Sequence, residues 1–332
     1  MTLKKATKKG AKKPAKKATK KPSRKAAKKT PKQGASSKAP AKKKSAQQKP
    51  RAPRPAKPVL RQVPLYEFTA GNLCGYVRTT DPGRGVEFCR THEGPLLPAF
   101  SQEVLSLRHY LSRGEGGLLV PRQQAACTGK VEKTRVVFRY DKAPKWPLTA
   151  TAQYDLLSDG GIDATFSFRF GKTLRAFEAA VETIMPRRQL TGYYVHCDGR
   201  WVKVATGARL QLFYPRNLRA AEMIADGRWS RLRMGGIGLA IEPQGYDYPI
   251  LVVREEKHAW ALIYMALTED CSALWVNGAD RTVGLGLIGA DAKAQSSITC
   301  RVRVLLRQVQ ELSDVLPHYR EFVQEARATR RR

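Results

Sequence analysis

Apolar and polar residues alternate with a period of two along much of this chain. Residues 148–156 and 162–170 each place an apolar side chain at every second position, and the tetrapeptide Ser-Asp-Gly-Gly at 158–161 lies between them. A period of two puts successive side chains on opposite faces of a β-strand, and an acidic, glycine-rich tetrapeptide is typical of tight turns. The pattern predicts a β-hairpin, and residues 298–306 predict a further strand of the same kind.

Shorter strand candidates fill most of the chain after residue 59. They are 74–78, 86–90, 134–140, 193–197, 201–204, 210–214, 238–241, 249–253, 259–267 and 272–276. Helical spacing is scarce: it is found at 217–225 and after residue 309, whereas residues 172–185 fit either a helix or a strand. Many strands without a regular strand–helix rhythm predict a mostly β fold, an antiparallel sandwich or barrel with few short helices.

Residues 1–58 differ from the rest of the chain in composition. They hold 23 of the 61 basic residues and none of the 28 acidic ones, so they carry +23 of the formal net charge of +33. From Lys4 to Pro58 there is no Val, Ile, Leu, Met, Phe, Trp, Tyr or Cys. Such a segment cannot bury enough apolar surface to offset the entropy of ordering, so a disordered basic tail is predicted.

Pairs of basic residues recur every four positions in the first half of this tail. An extended chain of this charge density suits the phosphates of nucleic acid, and without aromatic residues it would bind by counterion release and ignore base sequence. The residues predicted to bind nucleic acid or another polyanion are Lys4, Lys5, Lys8, Lys9, Lys12, Lys13, Lys16, Lys17, Lys20, Lys21, Arg24, Lys25, Lys28 and Lys29.

In composition, residues 4–58 resemble the Lys/Ala/Pro-rich tails of linker histones and bacterial histone-like proteins. The resemblance implies association with nucleic acid and no common ancestry. The alternatives are a solubilising arm, or an arm that binds acidic lipid or polysaccharide.

The order of features in the remainder is similar to that of the galactose-mutarotase-like β-supersandwich, which includes aldose epimerases and the sandwich domains of polysaccharide lyases and glycosidases. The hairpin at 148–170 looks like the central strand pair of that family. The tetrapeptide Phe-Glu-Ala-Ala at 177–180, the tripeptide Tyr-Val-His at 194–196 and the strand at 297–306 extend the resemblance over residues 63–310. Aldose epimerases use a His pair and a Glu, and no convincing set of these stands in this sequence.

The tetrapeptide Asp-Gly-Arg-Trp occurs twice, at 198–201 and at 226–229. Asp-Gly favours a tight turn, while Arg and Trp offer a planar cation and an aromatic face to a sugar ring or an anionic group. A second aromatic segment, Tyr-Asp-Tyr-Pro, stands at 246–249. The residues predicted to bind a ligand are His196, Arg200, Trp201, Arg228, Trp229, Tyr246 and Tyr248. The structural alternative is two turns, each followed by a Trp that packs on the sandwich edge.

Several classes of protein are not supported. No apolar run approaches the roughly 18–20 residues needed to cross a bilayer, and no apolar segment follows the basic N-terminus as in a secretory signal. Cys89 and His92 have a metal-like spacing, but no second pair follows at a zinc-site interval, and the six cysteines are dispersed. No phosphate-binding glycine loop occurs, so neither a metal nor a cofactor is predicted. A cytoplasmic protein is expected, associated with the nucleoid if its tail binds DNA.

These observations divide the chain into a disordered tail at 1–58, a β-sandwich domain at 59–310, and a C-terminal helix with a basic end at 311–332. The predicted function is that of a binding protein, whose tail binds polyanions and whose sandwich binds a carbohydrate-like ligand. The alternative is a carbohydrate-active enzyme, an epimerase, lyase or hydrolase, with an incidental tail. A scaffold that only docks a partner is a third hypothesis.

Overall fold

The fold is that of a computed structural model of the chain. Its described residues are 65–78, 85–91, 103–113, 115–117, 126–144, 146–185, 191–205, 207, 209–216, 238–255 and 259–330. The predicted tail, the predicted helix at 217–225 and the second Asp-Gly-Arg-Trp segment all lie outside these ranges.

Most of the described chain is β-strand. In chain order the strands are β1 Leu65–Ala70, β2 Leu73–Arg78, β3 Val86–Thr91, β4 Glu103–Ser112, β5 Glu115–Gly117, β6 Cys127–Glu132, β7 Arg135–Tyr140, β8 Leu148–Leu157, β9 Gly161–Phe170, β10 Leu174–Ile184, β11 Thr191–Cys197, β12 Arg200–Lys203, β13 Arg209–Phe213, β14 Gly238–Ile241, β15 Tyr246–Glu255, β16 Trp260–Ala266, β17 Cys271–Asn277, β18 Thr282–Ala292 and β19 Ser297–Gln308. A 3₁₀ turn at Leu312–Asp314 leads into the helix α1, Val315–Arg330.

The strands form two large sheets. The first has ten strands in the order β1-β2-β3-β4-β10-β18-β17-β13-β14, with β5 paired to β4, and the second has nine in the order β12-β11-β15-β16-β19-β9-β8-β7-β6. Neighbouring strands are antiparallel except β13 and β14, which run parallel. The predicted hairpin is β8 and β9, which pair from Leu148 opposite Phe170 to Leu157 opposite Gly161.

The two sheets face each other across one apolar core. Phe177 of β10 in the first sheet lies edge-on to Phe168 and Phe170 of β9 in the second, with ring centroids 5.6 and 4.8 Å apart. These rings are fully buried, and edge-to-face aromatic pairs add to the stabilisation given by burial alone. The prediction of a mostly β, antiparallel sandwich is therefore confirmed.

A second apolar layer joins helix α1 to the outer side of the second sheet. Val315, Tyr319, Phe322 and Ala326 of the helix are buried in one cluster with residues of β15, β16 and β19. These positions recur at helical spacing, so one face of α1 packs on the sheet. Pro317 lies in the first turn, where proline is tolerated because its missing N–H has no helical partner.

Within the described ranges, no helix is long and apolar enough to span a membrane. None of the cysteines whose side chains the structure describes, Cys74, Cys127, Cys197, Cys271 and Cys300, forms a disulfide bond.

Candidate functional site

A cleft of about 660 Å³ opens at one end of the sandwich, where both sheets contribute residues. Its lining consists of His196, Gly199, Pro215, Arg216, Tyr246, Asp247, Tyr248 and Thr268. Three of the predicted ligand-binding residues, His196, Tyr246 and Tyr248, are therefore brought together. This volume is within the range of ligand-binding clefts, roughly 300–1,000 Å³.

The turn between β11 and β12 forms one side of the cleft. Cys197 pairs with Arg200, and the two residues between them have positive φ, 51° at Asp198 and 74° at Gly199. Two residues with positive φ make the type I′ turn for which Asp-Gly is suited. No atom would obstruct a Cβ at Gly199, so the glycine serves the backbone conformation and not the space around it. The turn that the sequence predicted is confirmed.

A short backbone contact between the sheets forms the opposite side. Tyr246 donates its N–H to the carbonyl of Tyr214 at 2.8 Å, and Arg216 donates its N–H to the carbonyl of Tyr246 at 3.1 Å. Pro215 and Tyr246 thereby form an isolated parallel bridge between the end of β13 and the start of β15. This bridge sets the side chain of Arg216 beside that of Asp247.

Asp247 is the centre of the charged groups in the cleft. Its Oδ2 lies 3.0 Å from Nδ1 of His196 and accepts the backbone N–H of Gly199 at 2.7 Å, while its Oδ1 lies 3.2 Å from Nη1 of Arg216. The guanidinium of Arg216 also pairs with Asp198 in the turn. The imidazole of His196 is buried within ion-pair distance of this carboxylate, and its Nδ1 makes no hydrogen bond to a described residue.

Aromatic rings surround His196. Its imidazole lies edge-on to Trp201, its cross-strand neighbour on β12, with ring centroids 5.2 Å apart. On its other side it lies 5.3 Å from the ring of Tyr248, whose side chain is 40% exposed at the cleft. An exposed aromatic ring beside polar groups can offer an apolar face and hydrogen bonds to the same ligand.

The remaining predicted residues have different positions. Tyr246 lines the cleft, but it is buried and its hydroxyl donates to the carbonyl of Cys271 at 2.8 Å, so it supports the wall. Trp201 does not line the cleft but packs against His196, and Arg200 is exposed at the start of β12 without lining it. Arg228 and Trp229 lie outside the described residues.

Cys197, next to His196, is a thiol without nucleophilic character. Burial, together with the nearby carboxylates of Asp247 and Asp198, raises its pKa to about 12. Since the thiolate is the reactive form of cysteine, this residue stays protonated near neutral pH.

Sequence reasoning did not identify Arg216 and Thr268. Arg216 follows a strand 30 residues before Tyr246, and Thr268 follows β16 in a turn, so only the three-dimensional fold places them at the cleft. Asp247 stood inside the aromatic segment that the sequence did identify, between two tyrosines whose spacing puts them on one face of a strand.

Among the described residues, no group of three or more His, Cys, Asp or Glu side chains is placed to hold a metal ion. The described cleft residues offer a ligand hydrogen bonds, charged groups and an aromatic face.

No protein-family model matches the chain, and the comparison with curated proteins finds no match. Solved structures do resemble it. The Slr1438 protein of Synechocystis sp. PCC 6803 matches with a TM-score of 0.45 at 8% identity, over 75% of this chain and 97% of that one. Galactose 1-epimerase of Lactobacillus acidophilus NCFM matches with a TM-score of 0.40 at 12% identity, over 74% of this chain and 95% of that one.

A third similar structure is a quadruple mutant of the α-N-acetylgalactosaminidase NagBb of Bifidobacterium bifidum. It matches with a TM-score of 0.48 at 12% identity, over 79% of this chain but only 39% of the larger enzyme. All three TM-scores are below 0.5, so no inference about activity is based on them.

Proposed function

We propose that the sandwich is a carbohydrate-binding domain and that a sugar ring occupies the cleft. The observation that carries the proposal is the exposed ring of Tyr248 beside the His196–Asp247 pair. A sugar presents C–H groups on its faces and hydroxyls at its edge. It therefore fits a site where an aromatic face and several hydrogen-bonding groups converge.

The test is calorimetric titration of the full chain with galactose, glucose and N-acetylgalactosamine. Replacing Tyr248 with Ala removes the aromatic face, and we expect at least tenfold weaker binding, the equivalent of ~1.4 kcal/mol. The matched control is Tyr66→Ala, which removes an equally exposed ring, 44% accessible, on β1 and outside the cleft. Equal affinity of the two variants for every sugar would contradict the proposal.

A second candidate function is catalysis on the same sugar. The separation of 3.0 Å between His196 and Asp247 favours it, because a carboxylate that holds an imidazole makes a general acid or base. Polarimetry of freshly dissolved α-galactose or α-glucose would reveal epimerisation at C1. Reducing-sugar release from nitrophenyl glycosides would reveal hydrolysis. If the protein binds a sugar but neither assay detects turnover, its function is binding. If turnover is detected and Asp247→Asn abolishes it, the protein is a catalyst.

For residues 1–58 we propose non-specific binding to nucleic acid, supported by their charge of +23 and the absence of aromatic residues. This arm fits a cytoplasmic protein associated with the nucleoid. Retention on immobilised duplex DNA should fall steeply with salt, and the chain lacking residues 1–58 should not be retained at low salt. Unchanged retention after the deletion would refute this part of the proposal.

A further inference from the structure

A second cavity lies next to the cleft, along helix α1. It measures about 270 Å³ and is lined by Tyr248, Leu316, Tyr319, Arg320, Val323, Gln324 and Arg327. We refer to these residues as the helix groove. Tyr248 belongs to both cavities, so its ring is the partition between them.

The partition is built from contacts that link the two linings. The ring of Tyr248 lies 5.4 Å from that of Tyr319, and the hydroxyls of Tyr319 and Thr268 are 3.3 Å apart. Thr268 lines the cleft and Tyr319 lines the helix groove. A ligand that leaves the cleft past Tyr248 therefore meets the helix groove at once.

Among the described lining residues, a guanidinium without a counter-charge is found in the helix groove and not in the cleft. In the cleft, the guanidinium of Arg216 is paired with Asp198 and Asp247. In the helix groove, Arg327 is paired with Glu269 at 3.3 Å. Arg320 is exposed, and within the described part of the chain no carboxylate lies at ion-pair distance from it. A guanidinium without a protein partner suits a carboxylate on a ligand.

We propose that the cleft and the helix groove form one extended site for an acidic oligosaccharide. This proposal rests on the proposed sugar-binding function. One sugar unit occupies the cleft against Tyr248. The next unit lies on Leu316 and Val323 of the helix groove, and its carboxylate pairs with Arg320. The small volume of the helix groove suits a single further unit and not a longer chain.

The test compares neutral and acidic disaccharides on the full chain by calorimetric titration. The probe pairs are galactobiose with digalacturonate, and cellobiose with cellobiouronate. We expect the acidic member of one pair to bind about tenfold more tightly, as for one charge-assisted hydrogen bond to a partly exposed guanidinium. Arg320→Gln should abolish that difference by weakening the binding of the acidic member.

The matched control is Arg169→Gln, which removes one exposed guanidinium from β9, outside both cavities. An equal loss in the two Arg variants would show a general charge effect and overturn the extended site, as would no preference for acidic disaccharides. Monosaccharide binding that depends on Tyr248 would then still support the proposed function. If no sugar of any kind binds, the proposed function and the extended site both fail.

Discussion

Two aspartates of the sandwich are each held by cations, and their surroundings give them different roles. Asp163 on β9 is buried; both its oxygens accept hydrogen bonds from Arg303, at 2.6 and 2.8 Å, and Arg301 adds a further contact. Asp247 instead faces an imidazole and a half-exposed guanidinium at the border of an open cleft. A carboxylate is structural where its partners are guanidiniums and are largely covered. It is accessible to a ligand where it borders an open cleft.

The cover over Asp163 comes from helix α1. Arg303 continues from Asp163 to Glu325 of the helix, at 2.7 Å, and lies over the ring of Phe322 at 5.4 Å from its centre. The network therefore ties the helix to β9 and β19. Among the described residues, none forms a comparable cover over the side of Asp247 that faces the cleft.

Replacing Asp163 with a neutral residue should cause the largest loss of unfolding free energy. Asp163→Asn leaves the two neighbouring guanidiniums without their shared counter-charge, and breaking a buried pair in this way costs about 3 kcal/mol of unfolding free energy. Urea unfolding of the two proteins measures the loss. Ser167→Ala, an outward-facing change on the same strand, should stay within about 0.5 kcal/mol of the original. A loss below about 1 kcal/mol for Asp163→Asn would mean that the pair is not structural.

The same aspartate should make the free energy of unfolding depend on pH in the acidic range. Burial acts to raise the pKa of Asp163, but hydrogen bonds from Arg303 and Arg301 outweigh it, so the pKa is lowered from its usual 3.8. As the pH falls, Asp163 is therefore protonated in the unfolded chain at a higher pH than in the folded chain. The stability contributed by Asp163 is present above pH 3.8 and is lost as the pH falls towards the lower folded value. In Asp163→Asn, the midpoint of urea unfolding should fall less steeply between pH 5 and pH 3; identical slopes would contradict the assignment.

The sequence predicted most of the strands; it did not predict β1, β4, β5, β6 and β18, and it left the segment of β10 ambiguous for a physical reason. Strands β8 and β9 bury one face and leave the other partly exposed, so apolar and polar residues alternate in their sequences and predict strands. Strand β10 has seven consecutive buried residues, because both of its faces are covered, and its sequence lacks the alternation that separates a strand from a helix. Residues 172–185 were ambiguous for that reason.

Only those parts of the candidate site that are formed by residues close together in the sequence could be predicted. The Asp-Gly turn places His196 and Trp201 opposite each other through adjacent residues, and short-range patterns reveal such pairs. The association of Asp247 with Arg216, and of Tyr248 with Tyr319, depends on a bridge between sheets and on a helix docked from the far end of the chain. No spacing in the sequence encodes either one.

Asp247→Asn should separate function from stability. The amide keeps an oxygen to accept the N–H of Gly199 but loses the charge opposite His196 and Arg216. Because the site borders solvent, we expect a loss of about 1 kcal/mol in unfolding free energy, and at least a tenfold loss of affinity for the sugar that the original binds. Calorimetry and urea unfolding on one preparation measure both. The control, Asp155→Asn, breaks a pair with Arg135 at 2.6 Å outside the cleft and should leave affinity unchanged.

The smallest effect is expected at the outer end of the Asp163 network. The side chain of Glu325 is 48% exposed, so Glu325→Gln should cost at most about 1 kcal/mol, and this cost should shrink in high salt. Arg303 keeps Asp163 in this variant. In the double variant with Asp163→Asn, however, Arg303 loses both counter-charges, so the combined cost should exceed the sum of the two single costs. Additive costs from urea unfolding would show that Arg303 does not couple the helix to the sheet, and that the cover over Asp163 is held by apolar packing alone.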